Sequence, residues 1–299
     1  DDPSPLIRSS AADGLEPYLS EATIPALAKA TQDPFRLVRI RAVPSLGAVP
    51  ESMIPADLRK SVQQASAEYI GAMGSRPDDA MSHYNLGNYY AAKNQSKQAV
   101  ESYETSIKLQ DGLILPYVNA ALVYNRLGDN DTAAAHLKQA VAIDPNNVAA
   151  HLNLAMLYGE MGKYEKAIDE FRTVFKLDPH SARAAYNLCI LLAEEDMPQA
   201  IAWAQKARQI QPDNAKYAYT LAFYLSRQDR MSEVIDVLEP FVSRGTTEVN
   251  IYLMLAELYE QAGDITAAVR VCKAAAENDR LPQQVRNRFV ARSEWLMSQ

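Results

Sequence analysis

A period of 34 residues constrains this chain more than any other feature. Residues 148–179 read VAAHLNLAMLYGEMGKYEKAIDEFRTVFKLDP. Apolar or small residues recur at helical spacing in two stretches, first Leu152, Leu154, Ala155 and Tyr158, then Ala167, Phe171 and Val174. Gly162-Lys163 marks a tight turn between them. Asp178-Pro179 marks a stop, because proline has no amide hydrogen and biases the residue before it away from the helix. Moving back by 34 returns the pattern: residues 114–145 place Ala120, Ala121, Tyr124, Gly128, Ala133, Ala140 and Pro145 at the matching positions. A lone helix pair cannot bury its apolar face, so a repeated pair implies a stack with a continuous core.

The layout resembles the tetratricopeptide repeat. That family has a large residue at repeat position 4, leucine at 7, a small residue at 8 and tyrosine at 11. Glycine follows at 15, alanine at 20, an aromatic at 24, alanine at 27 and proline at 32. A unit starting at Ala80 has Leu86, Gly87, Tyr90, Ala99 and Tyr103, with Ser106 at position 27 and Asp111 replacing the proline. The two stretches above are the second and third units. A fourth, from Ala182, has Leu188, Cys189, Leu192, Ala200, Ala204, Ala207 and Pro212, and is one residue short in the turn around Met197-Pro198. A fifth, from Ala215, has Leu221, Ala222, Leu225, Val234, Leu238 and Phe241 and lacks the proline. The sixth, from Val249, has Leu255, Ala256, Tyr259, Gly263, Ala268, Cys272 and Ala275. The resemblance implies an all-α fold, a right-handed α-solenoid of helix-turn-helix repeats with six units over residues 80–280.

The first 79 residues differ. Asp2-Pro3-Ser4-Pro5-Leu6-Ile7-Arg8 is echoed 31 residues later by Asp33-Pro34-Phe35-Arg36-Leu37-Val38-Arg39. Helical stretches follow each copy, at residues 9–15 and 40–46, and Ile24, Leu27 and Ala30 mark another between them. Residues 1–54 resemble HEAT-like repeats truncated at the N-terminus. The resemblance implies that aspartate caps the second helix and proline occupies its first turn, with Pro44 interrupting the second copy. Leu6, Ile7 and Leu15 form an apolar face with no earlier helix to cover it, so further protein is expected at that end. Leu58, Val62, Ala65, Tyr69 and Ile70 predict a bridging helix over residues 55–73, and residues 74–77 a hinge, so that residues 55–79 join the two arrays. Residues 281–299 read as a capping helix with Val285, Phe289, Trp295 and Leu296 on one face and Arg286, Arg288 and Arg292 mostly off it.

Composition excludes several functions. The 299 residues carry a net charge of −7 with no long run of one sign, which argues against nucleic acid and anionic membrane surfaces as partners. No run approaches 18 apolar residues, so no membrane insertion is expected. There is no haem-attachment motif, no His-Glu-x-x-His, no phosphate-cradling glycine loop and no nucleophile elbow. Cys189 and Cys272 fall at packing positions in units separated by a whole repeat, and read as buried thiols. His83 and His151 both occupy position 4, two units apart. With neighbouring helices about 10 Å apart, they cannot share a metal. Neither an enzyme nor a cofactor is expected.

The candidate binding residues lie on the first helix of each unit. Position 6 is asparagine four times in register: Asn85, Asn119, Asn153 and Asn187. A carboxamide donates and accepts, so it can pair with a peptide N–H and C=O together. The register resembles the asparagine ladder by which some tetratricopeptide proteins hold extended peptides, and it ends at Thr220 and Met254. Local hydrogen bonding is the alternative role. The resemblance also points Tyr84, Tyr186 and Tyr219, at position 5, into the concave groove. Asn88 and Asn119 match part of the family's clamp for a C-terminal carboxylate. The cationic part is missing, because its places hold Tyr84, Ala149 and Asn153. These features imply a non-enzymatic scaffold or adaptor whose partner is a protein or an extended peptide segment. A HEAT-like stretch followed by tetratricopeptide repeats also resembles the C-terminal region of some bacterial multihaem cytochromes. The alternative is therefore an interaction region or subunit of an exported electron-transfer assembly, with any haem outside this chain. Its compartment would be periplasmic or extracellular; otherwise a cytoplasmic location is expected. Glycosyl transfer would need a catalytic domain that the sequence lacks.

Overall fold

The computed structural model describes residues 2–298. Four helices come first: α1 (Pro5–Gly14), α2 (Thr23–Ala30), α3 (Arg36–Leu46) and α4 (Arg59–Gly74). Three helix pairs follow: α5 (Ala80–Ala92) with α6 (Ser96–Leu109), α7 (Ile114–Arg126) with α8 (Asn130–Ile143), and α9 (Val148–Glu160) with α10 (Tyr164–Leu177). Three more complete the series: α11 (Ala182–Leu192) with α12 (Met197–Ile210), α13 (Ala215–Ser226) with α14 (Met231–Ser243), and α15 (Val249–Gln261) with α16 (Ile265–Glu277). Helix α17 (Gln283–Met297) ends the chain. There is no strand among the described residues, and none of their helices is long and apolar enough to cross a membrane. The chain forms two compact units, Asp1–Met161 and Gly162–Gln299. The boundary falls in the turn of the third sequence repeat.

Short polar side chains start most of the paired helices. Asp79 accepts from the Ser82 amide, Asp129 from Thr132, Asn147 from Ala150, Ser181 from Ala184, Asp196 from Gln199, Asn214 from Tyr217 and Asp264 from Ala267. Each cap satisfies a first-turn N–H that has no partner inside its helix. Five of the six turns between paired helices contain one left-handed residue. Gly128, Gly162 and Gly263 supply it, with φ of 83°, 69° and 75°. Asn94 and Asp229 take the same place with φ of 56° and 55°, which these residue types tolerate better than most. The fourth repeat has no left-handed residue. Its missing residue lies just before Met197-Pro198, which are the first residues of α12. There the Glu195 and Asp196 amides both close back on the Leu192 carbonyl.

In the first unit α5 packs on α6, α7 on α6 and α8, and α9 on α8. Tyr103, Leu137 and Leu154 are fully buried there. In the second unit the same pattern runs from α10 to α17, around Phe171, Leu188, Leu225, Leu238, Ile251 and Leu255. Each such side chain contributes about 1.5–3 kcal/mol on burial. The small residues at position 8 allow the close approach. A Cβ on Gly87 would stand 2.4 Å from the Tyr103 ring, so α5 passes α6 with only hydrogen between backbone and ring. Position 4 is used alike in three of the six repeats. The ring nitrogens Nε2 of His83 and His151 donate to the carbonyls of Pro77 and Pro145, at 3.1 and 3.0 Å, and the Tyr252 hydroxyl donates to Thr246 O. Both cysteines are free and buried, and burial pushes their thiols up to about 12 for Cys189 and about 11 for Cys272.

Several expectations for the ends need correction. Asp2 and Asp33 do not cap α1 and α3. Each accepts from the amide two residues on, Ser4 and Phe35, at 2.8 Å, and the helices begin just beyond at Pro5 and Arg36. Pro44 lies inside α3, which runs on to Leu46. So close to the C-terminal end, the missing amide hydrogen costs one intrahelical bond and does not stop the helix. The bridging helix starts at Arg59, not residue 55. Leu15 packs on the core of Ala12, Ile24, Leu27 and Leu46, so this chain covers it. Leu6 and Ile7 remain 66% and 56% exposed. On α17 the buried residues are Phe289, Ser293 and Leu296, while Trp295 is 56% exposed. One residue of helix turns a side chain by about 100°, which separates Trp295 from Leu296. Arg292 is held by Glu260 at 2.8 Å.

Candidate partner-binding face

A helix brings residues three and four apart onto one face. Repeat positions 2, 6 and 9 therefore share a side of each first helix. On α5 they are Met81, Asn85 and Asn88; on α7, Leu115, Asn119 and Leu122; on α9, Ala149, Asn153 and Met156. In the second unit they are Arg183, Asn187 and Ile190 on α11, then Lys216, Thr220 and Phe223 on α13.

The four asparagines do not share one environment. Asn119 bridges α7 to α5: its Nδ2 donates to Asn88 Oδ1 at 2.9 Å and to the Tyr84 hydroxyl at 3.3 Å. Asn88 Oδ1 also accepts from the Tyr103 hydroxyl at 2.8 Å, and the Tyr84 and Tyr103 rings lie 6.2 Å apart. Burial, foremost, raises the Tyr103 phenol above its ordinary range, so it stays a neutral donor. Asn187 Nδ2 donates to the Arg183 carbonyl of its own helix at 2.8 Å. The Asn85 and Asn153 side chains are half-buried and make no hydrogen bond among the described residues. Tyr186 stacks on Tyr217 at 4.9 Å, with the Lys216 ammonium 4.6 Å above its ring. Tyr219 is half-buried. Thr220 is buried and bonds back to the Lys216 carbonyl.

A second register escaped the sequence reading. Position 9 is Leu122, Met156, Ile190 and Phe223 in four successive repeats. Leu122, Ile190 and Phe223 are exposed, as are Met81 and Leu115 at position 2. The spacing was visible in the sequence, but an apolar residue on a helix otherwise reads as core.

A carboxylate at position 25 ties successive repeats together in each unit. Glu104 Oε1 accepts from the Tyr124 hydroxyl and faces His136 Nε2, both at 3.0 Å. Glu239 Oε1 accepts from Tyr259 at 2.6 Å and from Arg270. Burial pushes the Glu239 carboxyl up, but the bonds from Arg270 and Tyr259 and the Arg270 charge outweigh it and hold the group below its ordinary range. Burial, then the bond to the carboxylate, pushes Tyr124 and Tyr259 up to about 12.

Stacked helix pairs with a small residue at each crossing define a helical-repeat protein. Tetratricopeptide repeat models match residues 125–189 and 160–222, and a second such model matches 81–112 and 249–280, more than half of the chain together. The chain belongs to the tetratricopeptide repeat family. No curated protein matches it significantly in sequence. Among solved structures, it is similar to PilF of Pseudomonas aeruginosa at 17% identity and a TM-score of 0.54, over 73% of this chain and 99% of that one. A tetratricopeptide repeat protein from Parabacteroides merdae is 15% identical with a TM-score of 0.51, over 79% and 92% of the two chains. The MamA protein is 17% identical with a TM-score of 0.50, over 54% and 88%. These likenesses show the fold. The family is in general a non-catalytic protein-interaction fold.

Proposed function

We propose that the protein is a non-enzymatic scaffold that holds an extended partner segment along the first helices of its repeats. The observation that carries this reading is the pairing of two registers on those helices. Half-exposed carboxamides at Asn85 and Asn153 are unbonded among the described residues, and they alternate with exposed apolar side chains at Met81, Leu115 and Leu122. The amides serve a main chain, and the apolar side chains receive every second or third side chain of the segment. In the second unit Tyr186, Tyr219, Ile190 and Phe223 supply a more aromatic version of the same face. Asn88, Asn119 and Tyr84 act as its support in the first unit, since they hold one another.

The same reading extends to the N-terminal end. Residues 1–54 read as truncated HEAT-like repeats, supported by a duplicated arrangement: Arg8 donates to the Asp2 and Pro3 carbonyls and pairs with Asp33, while Arg39 donates to the Asp33 and Pro34 carbonyls and pairs with Glu68. Exposed Leu6 and Ile7 mark where further protein docks.

Photo-crosslinking from the native source tests the proposal. A benzophenone side chain at Leu122 is expected to capture a protein that the same group at Lys138, exposed on the second helix of that repeat, does not. Equal capture at both positions would remove the face from consideration.

A further inference from the structure

A cavity of about 520 Å³ lies outside these registers, where the segment after α3 meets the start of α4 and the end of α5. Its apolar lining is Val49, Ile54, Val62 and the ring of Tyr89, all buried, together with exposed Ala56. Its charged lining is Arg59, Lys60 and Lys93 against one carboxylate, Glu51. That is a surplus of positive charge in a chain whose net charge is −7. The Arg59 Nε donates to the Ile54 carbonyl at 3.1 Å, which anchors the guanidinium beside the cavity. Lys60 and Lys93 make no ion pair among the described residues. Three like charges around one half-enclosed space repel each other when it is empty, and low-dielectric walls focus their field on whatever enters.

We infer that this cavity binds a small organic anion with an apolar body and a single carboxylate or phosphate head. The volume falls within the range of small-molecule sites, and the lining divides between apolar side chains on one hand and charged or polar ones, with Gln63 and Ser66 beside the cations, on the other. The buried side chains would take the body, and Arg59, Lys60 and Lys93 the head, by charge-assisted hydrogen bonds. Three cations on an otherwise acidic chain do not suit a polyanion, whose binding scales with the number of phosphates neutralised. The site is independent of the partner-binding face, so either can fail alone.

Calorimetric titration of the full chain with octanoate, octyl phosphate, 1-octanol and inorganic phosphate tests this. The two amphiphilic anions separate the head groups; at least one is expected to bind saturably, one per chain. Octanol, with the tail alone, and phosphate, with the head alone, are each expected to bind at least about ten-fold more weakly. Lys60→Met with Lys93→Met keeps the aliphatic stems and removes the charge. Loss of a charge-assisted contact is worth about ten-fold or more in affinity, and circular dichroism confirms that the variant is folded. No saturable binding by either anion, octanol as tight as octanoate, phosphate as tight as octyl phosphate, or wild-type affinity in the folded variant would each overturn the inference.

Discussion

The first helices of the two units carry the same repeat positions with different chemistry. In the first unit Tyr84, Asn88, Asn119 and Tyr103 form a neutral network across α5, α6 and α7. In the second, Tyr186 stacks on Tyr217 and has the Lys216 ammonium over its ring, and position 6 passes from Asn187, bonded within its own helix, to buried Thr220. A repeat position fixes which way a side chain faces. Its neighbours decide whether it supports the fold or is left for a partner.

Tyr103 should show the largest effect. It is 1% exposed and bonds Asn88. Tyr103→Ala should cost roughly 3–5 kcal/mol in a urea titration. Tyr186→Ala, at a half-exposed stacked position, should cost about 1 kcal/mol. Equal costs would erase the contrast between supporting and presenting tyrosines. Gly87→Ala comes next, at about 1–3 kcal/mol, because its methyl would press on the Tyr103 ring. Adding Tyr103→Leu should relieve part of that clash. A double-mutant cycle with no coupling would place the strain elsewhere.

Much of this was legible in the sequence. The 34-residue period placed the six helix pairs and the stops at Asp144-Pro145 and Asp178-Pro179, since proline acts through its own backbone. Side-chain partners were not legible. That Asn119 is held by Asn88 and Tyr84 depends on how closely α5 and α7 pack, and the close α5–α6 approach at Gly87 emerges only once the Tyr103 ring is seen against it. Asn94 and Asp229 replace the turn glycine by tolerance of positive φ, which the glycine pattern conceals. The spacing groups Trp295 with Leu296 on one face of α17, but neighbouring residues on a helix differ by about 100° and only Leu296 is buried. The position-9 register was present as spacing, but its exposure comes from the stack.

The inter-repeat carboxylates sharpen the comparison at smaller cost. Glu239→Gln should lower the stability of the second unit by about 1 kcal/mol at pH 7. Because the Glu239 carboxyl lies below its ordinary 4.5 when folded, its contribution is present above that value. It is lost as pH falls through the lowered one. The Gln variant should therefore lose less stability than the wild type between pH 5 and pH 3, in matched urea titrations. Parallel loss would show that other carboxylates carry the acid sensitivity. Lys216→Met should have the smallest effect, about 0.5–1 kcal/mol or less for a cation over an exposed ring. A larger loss in thermal melts would make Lys216 structural.

The most direct measurement is the affinity of the crosslinked partner segment for Asn85→Ala with Asn153→Ala. These two half-buried amides make no side-chain hydrogen bond among the described residues, so the melting point should stay within a degree or two of the wild type. Up to four main-chain hydrogen bonds would go, about 2–4 kcal/mol, which raises the dissociation constant roughly thirty-fold to a thousand-fold. An unchanged dissociation constant in the folded double variant would contradict the account.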